Sequence, residues 1–132
     1  MDNADSFGYV GNLENFNIKG DSVILDSVTS YIRVGNGQVS GNKSIPVWCR
    51  VLRFINDSWE IIYQSETSKT MSSLSEKDPF TFKVLPVSNN YIIKTIDKIA
   101  IVYVNAENAE VLTSDVKLGF RTLTNKNGGL SA

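Results

Sequence analysis

Val47-Trp48-Cys49-Arg50-Val51-Leu52-Arg53-Phe54-Ile55-Asn56-Asp57-Ser58-Trp59-Glu60-Ile61-Ile62-Tyr63-Gln64-Ser65 is the stretch whose reading decides the fold. Successive side chains of an extended chain point to opposite faces. That rule sets Trp48, Leu52 and Phe54 on one side of the first run and Val47, Cys49 and Val51 on the other. Both faces are largely apolar, as in a strand with neighbours on either side. The run from Trp59 alternates more cleanly, with Trp59, Ile61 and Tyr63 set against Glu60 and Gln64. Asn56-Asp57-Ser58 lies between them, and Asn and Asp tolerate the left-handed backbone of a tight turn. The stretch therefore predicts a β-hairpin.

The same reading extends outward. Phe80-Thr81-Phe82-Lys83-Val84 alternates after Pro79, which opens a strand more readily than it sits inside one. Ile99-Ala100-Ile101-Val102-Tyr103-Val104 is apolar on both faces and predicts a second central strand. Val116-Lys117-Leu118-Gly119-Phe120-Arg121 places Val116, Leu118 and Phe120 inward and Lys117 and Arg121 outward. Shorter strands are expected at Phe16-Asn17-Ile18, residues 22–25, residues 30–34 and Tyr91-Ile92-Ile93-Lys94. Residues 35–38, 65–75 and 105–115 are polar connections, with at most a turn over 106–112. Eight or nine short strands in a chain of this size make an antiparallel β-sandwich, all-β in class. The sandwich is expected over residues 14–124. Residues 1–13 form a flexible or anchoring N-terminal segment, and 125–132 a flexible tail.

Composition narrows the function. The chain has 132 residues, 42% hydrophobic and 20% charged, the balance of one ordinary domain. Thirteen basic and fourteen acidic residues leave a formal net charge of -1, so no long-range field favours nucleic acid or anionic lipid. No apolar run reaches the roughly 18 to 20 residues of a spanning helix, so membrane insertion is not expected. Met1-Asp2-Asn3-Ala4-Asp5-Ser6 lacks the basic and apolar regions of a secretory signal, which implies synthesis without export or a signal already removed. Sequons at Asn42 and Asn56 are ordinary for a chain so rich in Asn and Ser.

The absence of histidine removes the commonest general base, and the single Cys49 removes disulfide frameworks and thiolate metal sites. Catalysis would then need paired carboxylates, and nothing in the spacing of Asp57, Glu60, Glu66 and Asp78 brings two of them together. We therefore read no catalytic residue and no enzyme. Cys49, between Val47 and Val51, reads as an inert core thiol. No cofactor is called for. Calcium is the one that oxygen-rich segments would suit, at Asp21 and Asp26 or at Asn105-Ala106-Glu107-Asn108, although neither has the pattern of an EF-hand. Sugar binding needs an aromatic face with amides nearby to read hydroxyls. Trp48, Trp59, Tyr31, Tyr63 and Tyr91 are the aromatic candidates, with Trp59 beside the turn and Tyr91 at a loop edge the best placed and Asn56, Gln64, Asn89 and Asn90 as polar partners. Trp48, in mid-strand, reads as core.

Taken in order, the run from Ile45 to Phe54, the run from Ser58 to Glu66, Phe80-Thr81-Phe82, Asp97-Lys98-Ile99-Ala100-Ile101-Val102-Tyr103-Val104 and Val116 to Arg121 form a pattern. It resembles the jelly-roll, carbohydrate-binding-module-like domains of bacteriophage virion proteins. The resemblance implies a β-sandwich of jelly-roll type on a head fibre, tail fibre or baseplate, assembled in the bacterial host cytoplasm and displayed on the virion surface. It implies a homo-oligomer, often a trimer, docked on other virion proteins. It also implies adhesion or decoration through a host-surface glycan. No ligand motif of that family is matched residue by residue. The alternative is a purely structural oligomerisation or docking module with no small ligand.

Overall fold

Asn56 and Asp57 take φ values of 51° and 65°, the left-handed pair that a two-residue hairpin turn demands. The turn folds Ile45–Ile55 back on Ser58–Ser65, with Ile55 opposite Ser58 and Phe54 opposite Trp59. In the computed structural model, described over residues 6–16, 18, 22–34, 45–71, 79–105 and 111–123, this hairpin lies at the centre of nine strands. They are β1 (Ser6–Gly11), β2 (Ser22–Val34), β3 (Ile45–Ile55), β4 (Ser58–Ser65), β5 (Lys69–Met71), β6 (Phe80–Pro86), β7 (Ile93–Lys94), β8 (Ile99–Val104) and β9 (Val111–Leu123), with one 3-10 turn at Leu13–Phe16. No helix among the described residues is long and apolar enough to cross a membrane.

Every pairing is antiparallel. The strands run in the order β1-β8-β3-β4-β6-β2, with β9 along the length of β2, β7 on the start of β2 and β5 on the start of β3. β6 turns the corner between two layers. Its first half, Phe80 to Lys83, pairs with β2, and its second half, Val84 to Pro86, pairs with β4. The last strand returns to the first: a Cβ built on Gly8 of β1 would lie 3.4 Å from Thr113 Oγ1 of β9. The chain thus forms an all-β antiparallel fold wrapped into a nearly closed, barrel-like shape, which leaves little unpaired edge among the described residues.

The interior is filled by Val23, Leu25, Val28, Ile32, Val47, Cys49, Val51, Ile62, Tyr63, Phe82, Ile93, Ile99, Ile101 and Tyr103, all at or below 2% exposure. Each such aliphatic side chain contributes about 1.5–3 kcal/mol by leaving water. Among the described residues, buried side-chain polar groups are paired: Ser30 Oγ lies 3.0 Å from Tyr103 Oη, and the Cys49 amide donates to Ser65 Oγ at 3.1 Å. β8 is buried on both faces, as its sequence predicts. Its second face, Ala100, Val102 and Val104, joins Leu52 of β3 in an outer cluster against which Trp48 and Trp59 pack.

Several expectations are corrected by pairing. Phe16 ends a 3-10 turn rather than opening a strand. Residues 22–25 and 30–34 belong to one strand, β2, and Lys69–Met71 forms β5 inside the expected 65–75 connection. The predicted turn over 106–112 gives way to β9 at Val111, while 106–110 lie outside the described residues. Phe120 is 37% exposed rather than inward. Residues 6–11 pair with β8 and Leu13 is fully buried, so the packed domain begins before residue 14. Residues 1–5 and the 125–132 tail lie outside the described residues. Trp48 covers the outer cluster and not the interior. Ile61 and Tyr63, expected on one face, lie on opposite faces. Val51 pairs with Tyr63 and Leu52 with Ile61, so Ile62 is an extra residue that shifts the alternation by one.

Candidate binding groove beside Tyr91

Residues 87–92 connect β6 to β7, and three anchors hold this segment against the hairpin. Arg53 donates from Nη1 to the carbonyls of Asn90 and Ile92, both at 3.2 Å, and from Nη2 to Asp97 Oδ2 at 2.9 Å. Glu60, opposite Arg53 in the hairpin, accepts from Ser88 Oγ at 2.5 Å and from Asn90 Nδ2 at 2.9 Å. These bonds, the Ser88 hydroxyl first, hold the Glu60 carboxyl below its usual range. From inside the fold, Tyr63 Oη donates to the Tyr91 carbonyl at 2.5 Å and accepts from the Leu25 amide at 3.0 Å. Burial pushes the Tyr63 phenol up to about 12.

Held in this way, the Tyr91 ring stands edge-on to Tyr63, with centroids 6.4 Å apart and planes at 90°, and remains half-buried. Tyr91 and Pro86 together separate two hollows. One is a groove of about 430 Å3, walled by Ile24, Leu25, Val84 and Leu85 and bearing Asp26, Lys83 and Arg121. The other is a shallow depression of about 530 Å3 reaching Val87, Ser88 and Asn89. Volumes of this order are those of small-molecule sites.

The charged groups of the groove come from three strands. Asp26 occupies a bulge: Leu25 pairs with Phe120 and Ser27 with Gly119, so Asp26 has no partner across the ladder. Inward positions jump accordingly from Leu25 to Val28. Ser27 also faces Lys83 on β6, and Ile24 faces Arg121 on β9. These two registers put Lys83 and Arg121 on either flank of Asp26, and Arg121 Nε donates to Asp26 Oδ1 at 3.2 Å.

Of the residues expected from sequence, Tyr91 lies between the two hollows and Asn89 lines the depression. Asn90 spends its side-chain amide on Glu60 and anchors the segment. Trp59 lies on the other face of the sheet, edge-on to Phe54 at 5.3 Å, with Lys98 Nζ 5.7 Å from its ring. Gln64 accepts from Arg50 Nε at 3.3 Å, and Asn56 is exposed in the hairpin turn. Trp59 and Tyr91 therefore form no common platform. Lys83 and Arg121 were missed as binding groups because each reads singly as an outward charge, and Asp26 was read only as a calcium ligand beside Asp21; only the pairing of β2 with β6 and β9 unites the three.

Among the described residues, no three acidic or thiol groups gather to hold a metal ion. Asp26 is paired with Arg121, whereas Asp21 and residues 106–108 lie outside the described residues. Cys49 is buried, and desolvation pushes its thiol far above the usual range. No family model, curated protein or solved structure matches the chain, so the groove is judged on its own geometry.

Proposed function

We propose that this chain is a non-enzymatic carbohydrate-binding domain, displayed on a virion surface, and that the sugar sits in the groove beside Tyr91. The observation that carries the reading is a half-buried aromatic ring, braced from behind by Tyr63, at the edge of a groove of about 430 Å3. Leu85 and Pro86 provide exposed apolar wall for the C–H face of a pyranose, and Asp26, Lys83, Arg121 and Asn89 provide donors and acceptors for its hydroxyls. The virion placement rests on the resemblance of the hairpin and late strands to phage jelly-roll domains. The test is a glycan array probed with the wild-type chain and Tyr91→Ala. Loss of the array signal in a folded Tyr91→Ala chain supports the site, and an unchanged signal refutes it.

One observation favours docking as an additional role. Val10, Ala100, Leu52 and Ile61 form a row across β1, β8, β3 and β4 on the outer face, beside Phe54 and Trp59. Val10, Phe54 and Ile61 are exposed by 46%, 40% and 37%. Such a face suits a subunit contact of a homo-oligomer, the trimer included, or a seat on another virion protein. Light scattering on wild type and Ile61→Glu tests the oligomer: a trimer that dissociates in the variant supports it, and a monomeric wild type removes it.

A further inference from the structure

The charges of the groove are unbalanced. Lys83 and Arg121 face one carboxylate, Asp26, and that carboxylate is already engaged by Arg121 Nε. A guanidinium carries five N–H donors, so its two terminal nitrogens remain for another acceptor. Among the described residues, neither these nitrogens nor the Lys83 ammonium meets an acceptor. Among the described residues, the Lys83 ammonium and the two terminal nitrogens of Arg121 therefore flank an apolar wall and a tyrosine ring with no acceptor of their own.

We infer that the groove selects a carboxylated sugar, of the uronic or sialic acid class. The guanidinium fork matches a planar carboxylate, and the Lys83 ammonium adds a second charge-assisted bond. The sugar ring lies against Tyr91 and Pro86. The bulge at Asp26 matters because it directs a carboxylate onto Arg121 Nε, which orients the terminal nitrogens. This inference rests on the carbohydrate reading given above and specifies its ligand.

The test is an array of matched glycans, each in carboxylated, neutral and sulfated form, read at low and at physiological salt with wild type, Lys83→Gln and Arg121→Gln. Lys83 is exposed, so its replacement leaves packing intact, and circular dichroism checks the fold of the Arg121 variant. Signal confined to carboxylated members, weakened by salt and reduced about tenfold in each variant, supports the inference. Equal or stronger binding to neutral or sulfated members overturns it and leaves the carbohydrate reading intact. Absence of binding to every member overturns both.

Discussion

Tyr63 holds Tyr91 in place from across the interior: its hydroxyl donates to the Tyr91 carbonyl while accepting from the Leu25 amide. One phenol thereby joins β4, β2 and the segment that edges the groove. Replacing Tyr63 by Phe keeps the ring and leaves the buried Leu25 amide and the half-buried Tyr91 carbonyl without this partner. The expected cost is about 1–3 kcal/mol in urea unfolding, with weakened groove binding. An unchanged midpoint would mean that water replaces the hydroxyl.

The same phenol makes stability fall in alkali. Burial raises its pKa from the ordinary 10 to about 12, against the opposing bond from Leu25. Below pH 10 the phenol is neutral in both states and its stabilisation is fully present. From pH 10 to about 12 the unfolded chain ionises while the folded chain does not, so stability declines as pH rises, by on the order of 2 kcal/mol. Tyr103, also raised by burial, acts in the same direction. Denaturation across this window is expected to show a shallower decline for Tyr63→Phe than for wild type.

Glu60 couples the groove to acid. The Ser88 and Asn90 bonds lower its pKa, so its contribution is present above the ordinary carboxylate range and is lost as pH falls through the depressed value. Ser88→Ala is expected to raise the Glu60 pKa towards the ordinary value, read by NMR titration of its carboxyl carbon. Ligand binding by that variant is expected to fail at a higher pH than in wild type. An unmoved Glu60 titration would show that Ser88 does not hold it.

Trp59 and Tyr91 are expected to separate in mutagenesis. Trp59 covers the outer cluster with Trp48 and lies on the sheet face away from the groove. Trp59→Ala is expected to cost about 2 kcal/mol, less than a fully buried tryptophan, and to leave groove affinity unchanged. Tyr91→Ala is expected to lose groove affinity, together with its ring contact to Tyr63. Loss of binding in a folded Trp59→Ala chain would move the site to the outer face.

Gly8 lies within the register shift between Phe7 and Tyr9, where β1 crosses the Tyr103 ring. A Cβ there would come within 2.6 Å of Tyr103 Cε2, and Tyr103 is fully buried. Gly8→Ala is expected to destabilise by about 1–3 kcal/mol in thermal or urea unfolding. A neutral effect would show that β1 yields at this point.

What the chain determined locally is its β character. Period-two alternation, the Asn56-Asp57 turn and the doubly apolar run at Ile99–Val104 follow from strand geometry and backbone preference, so they are legible residue by residue. The loop-edge placement of Tyr91 and Asn89 was legible from the turn-forming residues Ser88-Asn89-Asn90. Tertiary structure decided the rest. The extra residues at Asp26 and Ile62 shift the alternation only because β2 and β4 must keep register with neighbours distant in sequence. That constraint sends Tyr63 inward beneath Tyr91 and parts Trp59 from the groove. It also draws Asp26, Lys83 and Arg121 from three strands into one wall. A side chain's face is set by local geometry, but the company it keeps is set by long-range pairing, which no single stretch of sequence contains.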